Sequence, residues 1–301
     1  MKILVTGGMG FIGTHLVDYL LKKKNIVTIF DNFSNSKEKS NIIFENKNMN
    51  IIEGDITKFE EILNATKDKE VVIHLAAKIS VDESIRNPTE TFRINVDGTK
   101  NVLEACEKNN VSKLIVASSA AVYEEGLPGT KLNENTENKP ISPYGESKVM
   151  MEQEIKKFLL KHGNLDCVIL RFFNIFGVGQ SLEYAGVITK FIEKISMNKS
   201  IEIFGDGLQT RDFVSVEDVV ESIFDAMLNG ACGTYNIASG NTITINKLAE
   251  LMISWSGKNI EVCHLPPLKG DIKFSAADIT LAEKEIKYIP KFGLEKIRVL
   301  M

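Results

Sequence analysis

A chain of 301 residues, 44% of them hydrophobic, can bury a full core and suits one large α/β domain or one and a half. The formal net charge is −4, acidic and basic residues are interspersed, and no five like charges run together, which excludes the footprint of a nucleic-acid or membrane-surface binder. No stretch reaches the roughly 18 apolar residues of a membrane span, and MKILVTGG turns to glycine too soon for a signal peptide. Cys106, Cys167, Cys232 and Cys263 show no CxxC spacing and read as reduced, partly buried thiols of a cytoplasmic protein. His15, His74, His162 and His264 show no ligand spacing, so no metal site is expected.

In chain order, KILVT (2–6) is a short apolar strand ending in glycines, and 11–24 is a helix whose stripe is Ile12, Leu16, Val17, Leu20 and Leu21. NIVTIF (25–30), NIIEGD (50–55), VVIHLA (71–76), KLIVAS (113–118) and DCVILRFF (166–173) read as buried strands. Residues 88–109 and 143–162 read as long helices. This alternation predicts a Rossmann-like, doubly wound parallel sheet over 1–173, with helices on both faces. From 174 to 301 the rhythm changes to a smaller mixed α/β lobe. It holds a loop at 177–186, helices from 187, at 216–228 and after 245, and strands at IEIFG, TRDFVSV and TYNIAS. The segment 212–230 is expected to pack back on the first domain.

TGGMGFIG (6–13) spaces Gly7, Gly10 and Gly13 three apart, directly between a strand and a helix. Such a loop lets a pyrophosphate approach the backbone at a helix N-terminus. The second strand ends at Asp31, about 20 residues on, where a carboxylate accepts hydrogen bonds from a ribose diol and repels a 2′-phosphate. With no arginine in the following DNFSNSKEKS, NAD is favoured over NADP. A turn-forming aspartate is the competing reading. Asp55, after the third strand, could face an adenine amino group or merely close a turn. Leu75, Ala76 and Ala77 end the fourth strand with mostly small side chains that leave room above the sheet edge.

PYGESK (143–148) starts a helix at Pro143 and sets Tyr144 and Lys148 one turn apart on one face. An unperturbed phenol titrates near pH 10; a neighbouring ammonium and a cationic nicotinamide both favour phenolate. A lowering of roughly three units makes it a general base at neutral pH. An exposed amphipathic helix start is the competing explanation, and Ser119 weighs against it. That serine closes the preceding strand in SSAAVY, at the sheet edge where doubly wound folds bind ligands.

Together TGGMGFIG, FDNFSNS, HLAAKISVDES, NVDGTKNVLEA, SSAAVY, PYGESK, RFFNIFG, FGDGLQTRDFVSVEDVV, YNIASG and GDIKFSAAD resemble the extended short-chain dehydrogenase/reductase superfamily. Within it the resemblance is to nucleotide-sugar epimerases of the UDP-glucose 4-epimerase type, over nearly the whole chain. It implies that Gly7, Gly10, Phe11, Ile12, Gly13, Asp31, Asn32, Asn35, Ser36, Asp55, Ile56, Leu75, Ala76, Ala77 and Asn95 hold NAD, with Tyr144 and Lys148. It assigns Ser119, Tyr144 and Lys148 to catalysis, and Asn174, Phe204, Arg211 and Ser275 to the UDP-sugar beside Ser119 and Tyr144. A salt bridge to Asp212 or Glu217 is the competing role for Arg211.

The implied reaction is 4-epimerisation of a UDP-hexose through a transient 4-keto sugar, in a homodimer paired through the helices at 88–109 and 143–162. Ala120 and Ala121 stand where related dehydratases and decarboxylases carry acids, which disfavours those activities. Three departures stand out. Leu268 follows Pro266-Pro267 where the family often has arginine, with Lys269 one residue off. Glu124 replaces a glycine, and Ser275 stands where a bulky tyrosine would exclude an N-acetyl group. Tolerance of UDP-GlcNAc and UDP-GalNAc is therefore expected. A dTDP- or GDP-sugar epimerase, a 4-reductase and a non-catalytic NAD-binding regulator are the alternatives.

Overall fold

The computed structural model describes residues 1–35, 46–181, 186–229, 232–268 and 272–301. The first strands are β1 (Lys2–Thr6), β2 (Ile26–Asp31), β3 (Met49–Glu53), β4 (Val71–His74), β5 (Lys113–Ser119) and β6 (Asp166–Phe172). The helices between them are α1 (Phe11–Lys22), α2 (Phe59–Ala65), α3 (Val81–Arg86), α4 (Pro88–Phe92), α5 (Gly98–Lys108) and α6 (Pro143–His162). The strands pair in parallel, and alternate side chains enter different cores. Ile3, Val5, Ile29, Ile73 and Ile115 join one cluster with the α1 residues Leu16, Val17 and Leu20. Leu4, Phe30, Val72, Leu114 and Val116 join the other, beneath α2 and α5. Two buried faces explain why these strands read as continuous apolar runs.

The remaining elements are β7 (Asn174–Phe176), α7 (Val187–Ser196), β8 (Ile201–Phe204), β9 (Thr210–Ser215), α8 (Val216–Leu228) and β10 (Gly233–Ile237), then β11 (Thr242–Thr244), α9 (Ile245–Ser256), β12 (Val262–Leu265) and α10 (Thr280–Glu285). The main sheet runs β10-β6-β5-β4-β1-β2-β3, so TYNIAS is a strand of that sheet and not of the smaller lobe. A run of five cannot announce its sheet; β10 is recruited by pairing with β6 from Gly233↔Val168 to Ile237↔Phe172. Helix α8 lies on α1, with the Tyr19 and Phe224 rings edge-on at 5.4 Å. The smaller lobe has two further sheets, β11-β9-β7 and β12-β8.

The expected single helix over 88–109 is divided. Asn87 caps α4, whose first residue is Pro88, and a π-helical turn over Arg93–Asp97 precedes α5. The wide turn buries Asn95, a use typical of π-bulges. The short α3 begins at Ser80, whose hydroxyl accepts the Glu83 N–H; Ser-x-x-Glu is a capping signal visible in the sequence.

Two buried polar arrangements brace the sheet. His74 sits between Thr6 Oγ1 (2.7 Å) and Thr99 Oγ1 (3.0 Å). Thr99 donates to the Asn95 carbonyl, so it accepts from His74 Nε2–H, while Nδ1 accepts from Thr6. Burial, and secondarily the Lys148 charge, lower the imidazole pKa to about 3. Farther along, Arg171 and Glu152, 2% and 1% exposed, form a bidentate pair at 2.9 and 2.6 Å. Ser118 Oγ donates to Glu152 at 2.6 Å, and Arg171 Nη1 donates to the Tyr123 hydroxyl at 2.8 Å. Tyr123 in turn donates to Asn236 Oδ1 on β10, fixing the recruited strand.

Glu152→Gln leaves a buried guanidinium uncompensated and should cost about 3–5 kcal/mol in urea unfolding. Replacing both partners with apolar residues of similar volume should cost less than either single change. His74 binds its proton far less readily folded than unfolded. Its contribution is therefore complete above the unfolded pKa near 6.5 and is lost as pH falls toward about 3. Stability attributable to His74 should drop by roughly 2 kcal/mol between pH 7 and 5, and His74→Gln should remove that part of the slope.

Candidate active site

The glycine loop follows β1 because only a left-handed turn brings it back under α1. Gly7 has φ +68°, and a Cβ there would meet Ala76 N at 2.7 Å. Helix α1 then starts at Phe11 after the N-cap Gly10, with no side-chain cap, and Gly10, Phe11, Ile12 and Gly13 line the cleft. At the end of β2, the Asp31 carboxylate accepts the Met9 N–H (2.9 Å) and the Phe33 N–H (2.8 Å). Burial raises the Asp31 pKa, and these two bonds oppose the rise.

A single cleft is lined by Gly7, Gly10, Phe11, Ile12, Gly13, Asp31, Asn32, Asn35, Asp55, Ile56, Leu75, Ala76 and Ala77, all singled out from the sequence for a dinucleotide. Ser36 lies outside the described residues. Asp55 Oδ1 accepts both the N–H and the hydroxyl of Thr57, so the carboxylate shapes its own turn. Sequence reasoning missed Phe30, Ser34, Gly54, Lys78, Ile79, Ile94, Gln180 and Ser181. For Gln180 and Ser181 no local signal exists, because they reach the cleft from a loop 150 residues and more beyond the glycines.

Asn95 is not on the cleft wall. Its Oδ1 accepts the Lys78 N–H (2.8 Å), and its Nδ2 donates to the Lys78 carbonyl and to Ser147 Oγ, both at 2.9 Å. Ser147 donates to the Tyr144 carbonyl, and the Tyr144 N–H donates to Ser84 Oγ. One asparagine thus ties the cleft edge to the first turn of α6. Ser142 caps that turn, accepting the Gly145 N–H. Gly145 itself is obligatory there: a Cβ would stand 2.2 Å from the Ala121 carbonyl oxygen.

Ser119, Tyr144 and Lys148 converge at this junction of β5 and α6. Ser119 Oγ accepts the Ala121 N–H at 3.1 Å and lies beside the Tyr144 phenol, whose ionised form it favours. Without a bound dinucleotide, the chain alone does not acidify the phenol. Burial raises the Tyr144 pKa, and Ser119 only opposes the rise. The reason is visible in Lys148. Its Nζ donates to the Ala117 carbonyl at 2.9 Å, and burial lowers its pKa to about 8 against the raising effect of Glu152.

On the smaller lobe, Asn174 Nδ2 donates to the Asp212 carbonyl (3.0 Å), and Arg211 Nη1 donates to the Thr210 carbonyl (2.9 Å). The Asp212 carboxylate is engaged by Ser239 and Ala277, and Glu217 by Lys296. Phe204 ends β8, half-buried, with its carbonyl held by Gln209. Ser275 is buried in a segment stitched to the 124–134 loop by Gly126 N–H to Phe274 O and Leu132 N–H to Ala276 O. Glu124 is exposed on that loop, Leu268 is 54% exposed, and Lys269 lies outside the described residues. Among the described residues no group of three His, Cys, Asp or Glu is arranged to hold a metal ion, and no helix is long and apolar enough to cross a membrane.

These features recur in known proteins. The chain is 41% identical over 300 residues to a putative UDP-glucose 4-epimerase of Methanocaldococcus jannaschii, covering 98% of this chain and 95% of that one. It superposes on the UDP-glucose 4-epimerase of Thermotoga maritima, solved with UDP-glucose, with TM-score 0.93 at 36% identity, covering 100% of this chain and 97% of that one. It matches the UDP-N-acetylglucosamine 4-epimerase of Methanobrevibacter ruminantium, solved with UDP-N-acetylmuramic acid, with the same TM-score of 0.93 at 38% identity, covering 99% and 96%. The model of the NAD dependent epimerase/dehydratase family matches residues 3–238, and the chain is a member of that family.

Proposed function

We propose that the protein is an NAD-dependent 4-epimerase of UDP-hexoses. The observation that carries this reading is the convergence of Ser119, at the end of β5, and Tyr144 with Lys148, at the start of α6, on the sheet edge beside a cleft whose glycines and Asp31 suit a dinucleotide. The uncapped start of α1 suits a pyrophosphate, and the Asp31 carboxylate suits a ribose diol. Bound there, NAD supplies a reversible hydride acceptor for the sugar's C4.

Tyr144 takes the proton of the C4 hydroxyl as that carbon is oxidised and returns it after the keto sugar has turned over. Ser119 accepts the Ala121 N–H and directs its own proton at the same oxygens, so it holds the reacting hydroxyl in line. Lys148, in its charged form, favours phenolate and suits the hydroxyls of the second ribose. Arg211 and Asn174 would hold the diphosphate, a task for which a guanidinium fork is well shaped. Phe204 would flank the uracil. Ser275, buried and small, would leave space for a C2 substituent.

The division we favour is a cofactor unit over 1–173 and a substrate lobe over 174–301, with 212–230 returning to the first; α8 against α1 supports the return. Pairing of two copies through α6 is supported by Met150 and Leu160, which are 40% and 90% exposed on that helix.

Tyr144→Phe should lower turnover of UDP-galactose by roughly 10²–10⁴-fold while NAD content stays that of the parent. A regulator without catalysis would show no turnover to lose. Offered UDP-glucose, UDP-galactose, UDP-GlcNAc and UDP-GalNAc without added cofactor, the protein should equilibrate both pairs. Good turnover of UDP-galactose with none of UDP-GalNAc would refute the role given to Ser275.

A further inference from the structure

Resting on the epimerase reading, we infer that Asp212 is a positioning residue for the sugar-nucleotide site. Its buried carboxylate ties the strand carrying Arg211 to the segment carrying Ser275. Asp212 has no exposed surface, and its side chain lies on the opposite face of β9 from Arg211. Oδ1 accepts the Ser239 N–H at 2.8 Å and the Ser239 hydroxyl at 2.7 Å, and Oδ2 accepts the Ala277 N–H at 3.4 Å. Its own carbonyl takes Asn174 Nδ2. One residue therefore fixes three separately expected substrate groups: Arg211 next to it in the chain, Asn174 through its amide, and Ser275 two residues before Ala277.

Three other ties on that segment run between backbones: Thr210 N–H to Lys273 O, Gly126 N–H to Phe274 O and Leu132 N–H to Ala276 O. The Lys273 N–H also donates to the Glu125 carboxylate, which is exposed; Asp212 is the buried carboxylate that meets the segment. The titratable groups around it are Tyr288, whose hydroxyl donates to the Ala238 carbonyl and senses the Asp212 charge, and Lys131, which donates to the Gly240 carbonyl. Asp218 lies on the far side of Tyr288, and Arg211 is the strand neighbour.

All three groups bonded to the carboxylate are donors. The ionised form satisfies them; the acid form brings an O–H among N–H groups. Burial moves the pKa up to about 6, so the switch falls just below neutrality. Ser239 Oγ has a second acceptor ready, the Asn241 carbonyl at 3.1 Å. On protonation the hydroxyl can turn there, and the clasp between β9 and the 275–277 segment loosens. Substrate affinity should then fall with acid while the chemistry at Tyr144 continues.

The test compares wild type, Asp212→Asn and Ser239→Ala as purified NAD-containing proteins, by UDP-galactose kinetics and by calorimetry with UDP. Loss of hydrogen bonds to a charged acceptor predicts that Asp212→Asn raises KM and weakens UDP binding about tenfold or more. Its kcat should fall less than about threefold, with NAD content unchanged. Ser239→Ala should give a smaller shift in the same direction. Wild-type KM should rise as pH falls through about 6, and Asp212→Asn should show a flat profile there. A KM and UDP affinity within twofold of wild type, or the same acid rise in Asp212→Asn, would overturn the inference while leaving the epimerase reading intact. Should Asp212→Asn fail to fold, the Ser239→Ala constants and the wild-type pH profile decide alone, and a flat wild-type profile overturns it. A wild type that neither binds UDP nor turns over UDP-galactose would sink the functional reading and this inference with it.

Discussion

A phenol buried at the end of a parallel sheet gives up its proton only if nearby charge offsets the loss of water, and the site is organised around that requirement. In the chain itself the balance favours the neutral phenol. Burial raises the Tyr144 pKa, Ser119 opposes the rise, and the Lys148 ammonium donates to Ala117. Acid–base work at neutral pH therefore calls for a further positive charge, and the oxidised nicotinamide of NAD, on which the family depends, would supply one. A base made available only on the loaded enzyme avoids leaving a buried anion in the empty one, where its desolvation would be uncompensated.

The supports around Tyr144 keep its first helical turn in one place. Asn95, in the π-helical turn, spends its amide on Lys78 and Ser147, so cleft edge and helix start move together. Behind Lys148, the Glu152–Arg171 pair is saturated by Ser118 and Tyr123 and reaches β10 through Asn236. A buried ion pair of this kind is weak evidence for added stability. Here it stands as a fixed negative charge one turn beyond Lys148, raising the ammonium pKa against burial. In the smaller lobe the buried Asp212 carboxylate likewise joins separate segments, taking Ser239 and Ala277.

Much of this is written in local sequence. The glycine spacing, Asp31 at the end of β2, and Tyr144 with Lys148 after a proline are short-range patterns whose geometry follows from helix and strand periods. Helices α6 and α8 match their periodic stretches because caps and apolar stripes agree there. What was not legible depends on distant partners. TYNIAS looks like any five-residue strand, and its place in the main sheet is decided by β6 and by the Tyr123–Asn236 bond. Asn95 sits in a stretch with ordinary helical pattern; only the packing of Lys78 and Ser147 shows why the helix widens. Helical spacing gives which residues share a face and not where a flexible ammonium points, so the Lys148 Nζ bond to the Ala117 carbonyl was not legible.

The most direct measurement is an ultraviolet difference titration of the Tyr144 phenol, wild type minus Tyr144→Phe, on protein stripped of dinucleotide and on protein loaded with NAD. Stripped protein should titrate above the ordinary value near 10, and NAD should lower the midpoint toward neutrality. Identical midpoints in the two forms, or a phenol already acidic in the stripped chain, would contradict the dependence of the base on the bound cation.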